Sequence, residues 1–243
     1  MNIALIGYGK MGKEIEKLAV KRGHKVVFIE DALVNPEEFT VENLQKADVA
    51  IEFTRPDSAY NNYLKCFEAG VPVVSGTTGW LEKMPEIQKI CSQGKHTMFY
   101  ASNFSLGVNI FFKLNELLAK MMNSFGREYN VEMQEIHHIH KLDKPSGTAV
   151  TLLEGVINNF EPKTAWTLEK NCADNEIYID AVREGEVPGT HQVCYKSEID
   201  DIEIKHTAHT RQGFVIGAVV AAEFLYGKPA GFYSMNDLMR FDF

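Results

Sequence analysis

Asn2-Ile-Ala-Leu-Ile-Gly-Tyr-Gly-Lys-Met-Gly12, at the head of the chain, is the stretch on which the fold turns. Asn2–Ile6 is an apolar run of strand length, and glycines 7, 9 and 12 follow it without a gap. Met11, Ile15, Leu18 and Ala19 then recur at helical spacing until Gly23. Lys25-Val-Val-Phe-Ile29 reads as a second strand that delivers Glu30 and Asp31. Strand, G-x-G-x-x-G, helix, strand and acid, in that order, make the dinucleotide-binding fingerprint. Gly7 suits the tight turn, Gly9 lets the backbone approach a pyrophosphate, and Gly12 lets helix and strand pack closely. The pyrophosphate would sit at the positive end of the helix. Glu30 suits ribose hydroxyls. Asp31 beside it would repel a 2′-phosphate, so NADH is favoured and NADPH possible; Arg55, folding in from a neighbouring loop, could soften that preference. The alternative for the motif alone is a Gly-rich βα turn that binds nothing.

Outward from this unit the βα rhythm continues. Ala47 to Phe53 ends in a strand, Tyr60, Tyr63, Leu64 and Phe67 mark a helix face closed by Gly70, and Val71–Ser75 is the next strand. A helix at 81–92 leads to a strand at Thr97–Tyr100. The loops Gly76-Thr-Thr-Gly79 and Ala101-Ser-Asn-Phe-Ser105 both follow strand carboxyl ends, where open parallel sheets bind ligands. Read alone, Gly76–Gly79 could equally be an ordinary small-residue turn. After a long apolar helix, 108–122, the pattern changes: a strand at 129–138, a helix at 148–158, then strands at 177–183, 192–196 and 202–209. Strands without intervening helices point to a separate mixed or antiparallel sheet. An apolar helix at 213–226 then returns. The expected class is α/β, with a Rossmann-type dinucleotide-binding domain over 1–104 and 210–243. An α+β substrate and oligomerisation domain with a mixed sheet is expected at 105–209.

The segment Glu135-Ile-His-His-Ile-His-Lys-Leu-Asp-Lys-Pro-Ser-Gly-Thr-Ala149 holds the densest chemistry. Strand alternation puts Glu135 and His137 on one face and Ile136 and His138 on the other, so the adjacent histidines have different tasks. Lys141 falls in the loop beyond. Ser146 is a candidate helix N-cap, and the free N–H groups of the turn it opens, at Gly147 and Thr148, with the Thr148 hydroxyl, suit a carboxylate. Imidazoles and an ammonium around such a turn describe a pocket for a small anion that must also be protonated. Zinc is the rival reading, but no Cys or HExxH spacing supports a closed site, and no metal is expected. Histidines hydrogen-bonded within a sheet are the bland alternative.

The 243 residues carry a net charge of −8, with no basic cluster of the kind nucleic acid demands. Four cysteines lack CxxC or metal-ligand spacing and read as reduced core residues. The N-terminus passes straight into a strand and no apolar run reaches membrane-spanning length, so a cytoplasmic location without membrane partners is expected.

Together with Phe53-Thr-Arg-Pro56, Ser102-Asn-Phe-Ser105 and Arg183-Glu-Gly-Glu-Val-Pro-Gly189, these motifs resemble the 4-hydroxy-tetrahydrodipicolinate (dihydrodipicolinate) reductase family over essentially the full length. The resemblance implies NAD(P)H-dependent reduction of a small cyclic dicarboxylate in diaminopimelate and lysine biosynthesis, by a homotetramer. It implies His137 as proton donor/acceptor, Lys141 as proton donor, His138 as a substrate contact, and Gly147 with Thr148 as a carboxylate holder. For the cofactor it implies Gly7, Tyr8, Gly9, Lys10, Met11, Gly12, Glu30, Gly76, Thr77, Thr78, Ala101, Ser102, Asn103 and Phe104. Two departures stand out. Asp31 and Ile139 occupy positions where many members carry Arg. Arg183 and Arg211 have lesser claims, Arg211 as support where the chain crosses between domains. Another nicotinamide oxidoreductase and a silent nucleotide sensor are the competing functional readings.

Overall fold

The first strand is buried on both faces, as the centre of a parallel sheet requires. In the computed structural model, which describes residues 1–31, 34–126 and 128–240, the chain runs β1 (Asn2–Ile6), α1 (Lys10–Lys21), β2 (Lys25–Glu30), α2 (Val41–Leu44), β3 (Val49–Glu52), α3 (Pro56–Glu68), β4 (Val73–Ser75), α4 (Met84–Ser92) and β5 (Thr97–Tyr100). It continues through α5 (Leu106–Asn123), β6 (Asn130–His137), α6 (Gly147–Ile157), β7 (Ala165–Thr167), β8 (Glu176–Arg183), β9 (Gly189–Lys196), β10 (Asp201–Ala208), α7 (Gln212–Leu225), β11 (Gly231–Tyr233) and α8 (Met235–Met239). Two compact units result, Met1–Leu106 with Gln212–Phe243, and Gly107–Arg211. The junctions therefore fall after Leu106 and after Arg211, where the sequence reading put them after 104 and 209.

In the first unit six parallel strands take the order β11-β5-β4-β3-β1-β2. Alternation sorts their side chains. Ile3, Leu5, Ile51, Val74 and Phe99 pack with Ile15 and Ala19 of α1 and Ala218, Val219 and Ala222 of α7. Ala4, Ile6, Ala50, Val73 and Met98 pack on the other side with Tyr63 and Phe67 of α3 and Ile87 of α4. The return of α7 to this sheet explains its Ala- and Val-rich composition: α1 and α7 meet closely, and small side chains allow it. Strand order reverses at β1, the switch point at which open sheets of this kind leave a ligand crevice.

The second unit has a five-stranded mixed sheet, β10-β9-β6-β8-β7, with β9 antiparallel to β6 and β10 and β8 parallel to β6 and β7. Val131, Met133, Ile177, Ile179, Val193 and Tyr195 form its apolar face against Phe111 and Ala119 of α5 and Leu152, Leu153 and Val156 of α6. Each buried aliphatic side chain here contributes roughly 1.5–3 kcal/mol. The sequence shows no sign of α2, β7, β11 or α8: α2 is a single turn, and the two strands are sheet edges of three residues each, too short to show a period.

Candidate active site

In the first unit the Gly-rich turn is shaped by its own packing. Gly7 has φ 91°, and a Cβ on it would stand 2.2 Å from the Phe53 carbonyl oxygen. A Cβ on Gly12 would stand 2.3 Å from the Gly7 carbonyl oxygen. Gly9 differs: nothing lies within 4 Å of where its Cβ would be, and it caps α1 without any side-chain hydrogen bond. The space beside Gly9 is therefore open and no N-cap side chain satisfies the first N–H groups of α1, as suits a bound pyrophosphate. Glu30 is buried at the end of β2, and its Oε2 accepts the Gly7 N–H at 3.1 Å. Burial pushes its carboxyl up, with the Gly7 N–H opposing. These residues fit a nicotinamide dinucleotide.

The remaining expected cofactor residues divide by exposure. Lys10, Thr78 and Ser102 are exposed, while Thr77, Ala101 and Phe104 are buried. Phe104 buries its ring against Phe53 and Phe99 in tilted contacts, so it offers a ligand only backbone. The Asn103 amide oxygen accepts the Ser105 N–H at 2.9 Å, and the Tyr8 hydroxyl donates to Glu16. Arg55 is exposed and pairs with Asp57 at 3.6 Å.

In the second unit the core face of the sheet turns polar at one end. Along β6, Val131 and Met133 are followed on the same face by Glu135 and His137, all buried. The same parity puts His191 behind Tyr195 and Val193 on β9, and Arg183 behind Ile179 and Ala181 on β8. Register then brings them together, since Glu135 is opposite His191 and His137 opposite Arg183. His137 Nε2 lies 3.3 Å from His191 Nε2 and 3.6 Å from Glu135 Oε2, and His191 Nε2 lies 3.2 Å from Ser146 Oγ. Arg183 donates to Glu135 Oε1 at 2.9 Å, and the Ser146 N–H reaches both Glu135 oxygens at 3.1 Å.

Electrostatics follow from this crowding. Burial would raise the Glu135 carboxyl, but the Ser146 hydroxyl and N–H and the Arg183 guanidinium outweigh it and hold it below the usual range. Burial depresses His137, with Glu135 resisting and Lys141 and Arg183 assisting. His191 is pushed down to about 4, by burial first and then by His137. Both imidazoles are therefore neutral near pH 7. Glu135, His137 and His191 have the spacing of a metal triad. The Glu135 carboxylate is already committed to Arg183 and Ser146, however, and an added dication beside that guanidinium would be poorly compensated.

His138 lies just past the strand end and is half-buried, and its buried Nδ1 has no hydrogen-bond partner among the described residues. Ile139, where many members of the resembled family carry Arg, is exposed. Lys141 Nζ pairs with Asp143 Oδ1 at 2.8 Å, and the Asp143 carboxyl is lowered chiefly by that lysine. Ser146 caps α6, accepting the Ala149 N–H at 3.1 Å, and the helix begins at Gly147 and Thr148. His191 has no motif to mark it in the sequence, and Arg183, which has only a lesser claim there, joins the same cluster.

A doubly wound dinucleotide-binding unit and a second unit bearing a buried cluster of histidines and a carboxylate suit a nicotinamide-dependent oxidoreductase of small molecules. Family models described as dihydrodipicolinate reductase, N-terminus and C-terminus, match residues 1–104 and 107–239. The chain belongs to that family, and it is an NAD(P)H-dependent reductase. It is 48% identical over 240 residues to a 4-hydroxy-tetrahydrodipicolinate reductase of Christiangramia forsetii, covering 98% of each chain. It is 37% identical to the reductase of that name from Archaeoglobus fulgidus, covering 99% of this chain and 100% of the other. Its fold matches the solved dipicolinate-bound dihydrodipicolinate reductase of Paenisporosarcina sp. TG-14 with TM-score 0.77 at 22% identity, over 96% of this chain and 97% of that one. Among the described residues no helix is long and apolar enough to cross a membrane.

Proposed function

We propose that His137 and Lys141 manage the protons of the family reaction while His138, Gly147 and Thr148 hold the substrate. That reaction is reduction of 4-hydroxy-tetrahydrodipicolinate to tetrahydrodipicolinate with NAD(P)H, in diaminopimelate and lysine biosynthesis. Gly7 to Gly12, Glu30, Gly76 to Thr78 and Ala101 to Phe104 would hold the cofactor. When bound, the reduced nicotinamide supplies a hydride to the substrate. With the 4-hydroxyl lost as water, the chain must supply a proton to the reduced ring and neutralise two carboxylates. The observation that carries this reading is the His137–His191–Glu135 cluster, which reaches the first turn of α6 through Ser146. The Gly147 and Thr148 N–H groups open that helix, suited to a carboxylate.

Lys141 is the standing cation. His137 is held neutral by burial, and a dicarboxylate brought near would favour its protonated form, so substrate binding and proton uptake are coupled. His191 and Glu135 give an imidazolium at position 137 a hydrogen-bond partner and a counter-charge. Lys141→Ala is expected to lower turnover and raise the substrate KM, together costing about 10- to 100-fold in kcat/KM, as loss of one charged hydrogen bond implies. The cofactor KM stays near its wild-type value. A change confined to the cofactor KM would remove Lys141 from the substrate site.

The test of the whole reading is nicotinamide oxidation by the purified chain, with substrate generated in situ from pyruvate and aspartate semialdehyde. NADH and NADPH are compared in parallel. NADH is the expected partner, by about tenfold in kcat/KM, because Glu30 ends β2, Asp31 follows it directly, and Arg55 is paired with Asp57. Equal efficiency with both cofactors would sink the preference but leave the reaction. The polar, half-buried sheet face bearing Glu132, Gln134, Tyr178 and Asp180 supports assembly into a homotetramer.

A further inference from the structure

Glu52, the last residue of β3, is wholly buried, and among the described residues it forms no salt bridge. Its partners are hydroxyls and an amide. Oε1 accepts from the Thr54 hydroxyl, from the Thr77 hydroxyl at 3.1 Å and from the Asn62 amide at 3.4 Å; Oε2 accepts from the Ser75 hydroxyl at 2.6 Å. Ser75 is held in turn by the Tyr63 hydroxyl at 2.7 Å. The Thr77 hydroxyl oxygen also accepts the Thr54 backbone N–H at 2.8 Å. One carboxylate thus ties the loop after β3 to the loop after β4.

Burying a carboxylate without a cation is costly, and a well-packed apolar side chain would serve the core better. The cost falls at a telling place. β2, which ends in Glu30, lies on one side of β1, and β3 and β4 lie on the other. A dinucleotide crossing the switch point with its adenosine ribose at Glu30 has its nicotinamide half over β3 and β4. These turns have no slack. A Cβ on Gly76 would stand 2.2 Å from the Phe53 ring, and one on Gly7 would stand 2.2 Å from the Phe53 carbonyl oxygen. A shift of either loop is therefore transmitted to the phosphate-binding turn.

We infer that Glu52 is a positioning residue for the nicotinamide half of the cofactor site: it locks Phe53–Thr54 to Gly76–Thr78 so that the backbone presented to the cofactor is formed before binding. The inference rests on the reading of Gly76–Thr78 as cofactor contacts. Residues that merely complete a core change stability; a residue that preorganises a binding loop changes how binding and turnover divide.

The test uses the full chain with Glu52→Gln, which keeps shape but replaces one acceptor oxygen with a donor. Kinetics are taken well below the thermal midpoint, and amide hydrogen exchange of Gly76–Gly79 is measured with and without NADH. The expected result is a rise in the NADH KM and a fall in kcat, together about tenfold or more in kcat/KM. The substrate KM is unchanged, and Gly76–Gly79 exchanges faster in the free enzyme. Thr77→Val, which removes one tie, shifts the same parameters less and serves if the Gln variant does not fold. Wild-type kinetics and wild-type exchange in folded Glu52→Gln would overturn the inference, as would a lower midpoint with kinetics unchanged. If NADH fails to protect Gly76–Gly79 even in the wild-type enzyme, the cofactor reading of that loop falls and this inference with it. Protection there with an indifferent Gln variant sinks the inference alone.

Discussion

Replacing His137 with alanine is expected to lower kcat by about 10²–10⁴, the range for removal of a positioned proton-transfer group. NADH binding should stay near its wild-type value, because His137 belongs to the second unit and the Gly-rich turn to the first. The side chain is buried, so truncation also leaves a cavity and strips His191 of its 3.3 Å partner. A stability loss must therefore be separated from a catalytic one. His137→Gln, which fills more of the space and can still meet His191, is expected to recover much of the thermal midpoint and little of the turnover. Turnover that recovered with the midpoint would make His137 a core residue. A loss that tracked weaker NADH binding would equally contradict the proton role.

The legibility of this chain in its sequence divides along physical lines. The first unit announces itself because every device is local: strand, turn, helix and acid fall within one continuous segment, and each glycine's task follows from its place in it. The histidine segment is legible for the same reason. What stays hidden is pairing across long separations. Glu135 and Arg183 are 48 residues apart, and only the register of β6 against β8 makes them partners. His191 sits in an unassuming Gly-Thr-His-Gln run. The available signal was parity: 191, 193 and 195 share a face, so a strand burying Val193 and Tyr195 also buries His191. Glu52 is hidden more deeply, because an acid closing an apolar strand reads as a surface residue until the hydroxyls around it are placed.

Arg183→Ala is expected to destabilise the protein by about 3–5 kcal/mol near neutral pH, since it strands a buried carboxylate. Arg183 also donates to the Val182 carbonyl at 2.9 Å and the Asp143 carbonyl at 2.5 Å, so the loop that carries Lys141 loosens as well. The pH dependence separates charge from packing. In the wild type, Glu135, His137 and His191 all have folded-state pKa values below their usual ones. Each binds fewer protons folded than unfolded, so each contributes stability that is present above its unfolded pKa. That stability declines as the pH falls: from the ordinary histidine range near 6.5 down to about 4 for His191, and through the carboxylate range for Glu135. Without Arg183 the burial of the Glu135 charge loses its main ionic compensation, so protonating that carboxyl relieves the variant's penalty instead of adding to it. The gap between wild type and Arg183→Ala should therefore be widest near pH 7 and narrow on acidification, measured as denaturant-unfolding free energies from pH 7 downward. A gap constant across that range would mean that Arg183 acts through its packing and its backbone contacts, and that the Glu135 charge is tolerated without it.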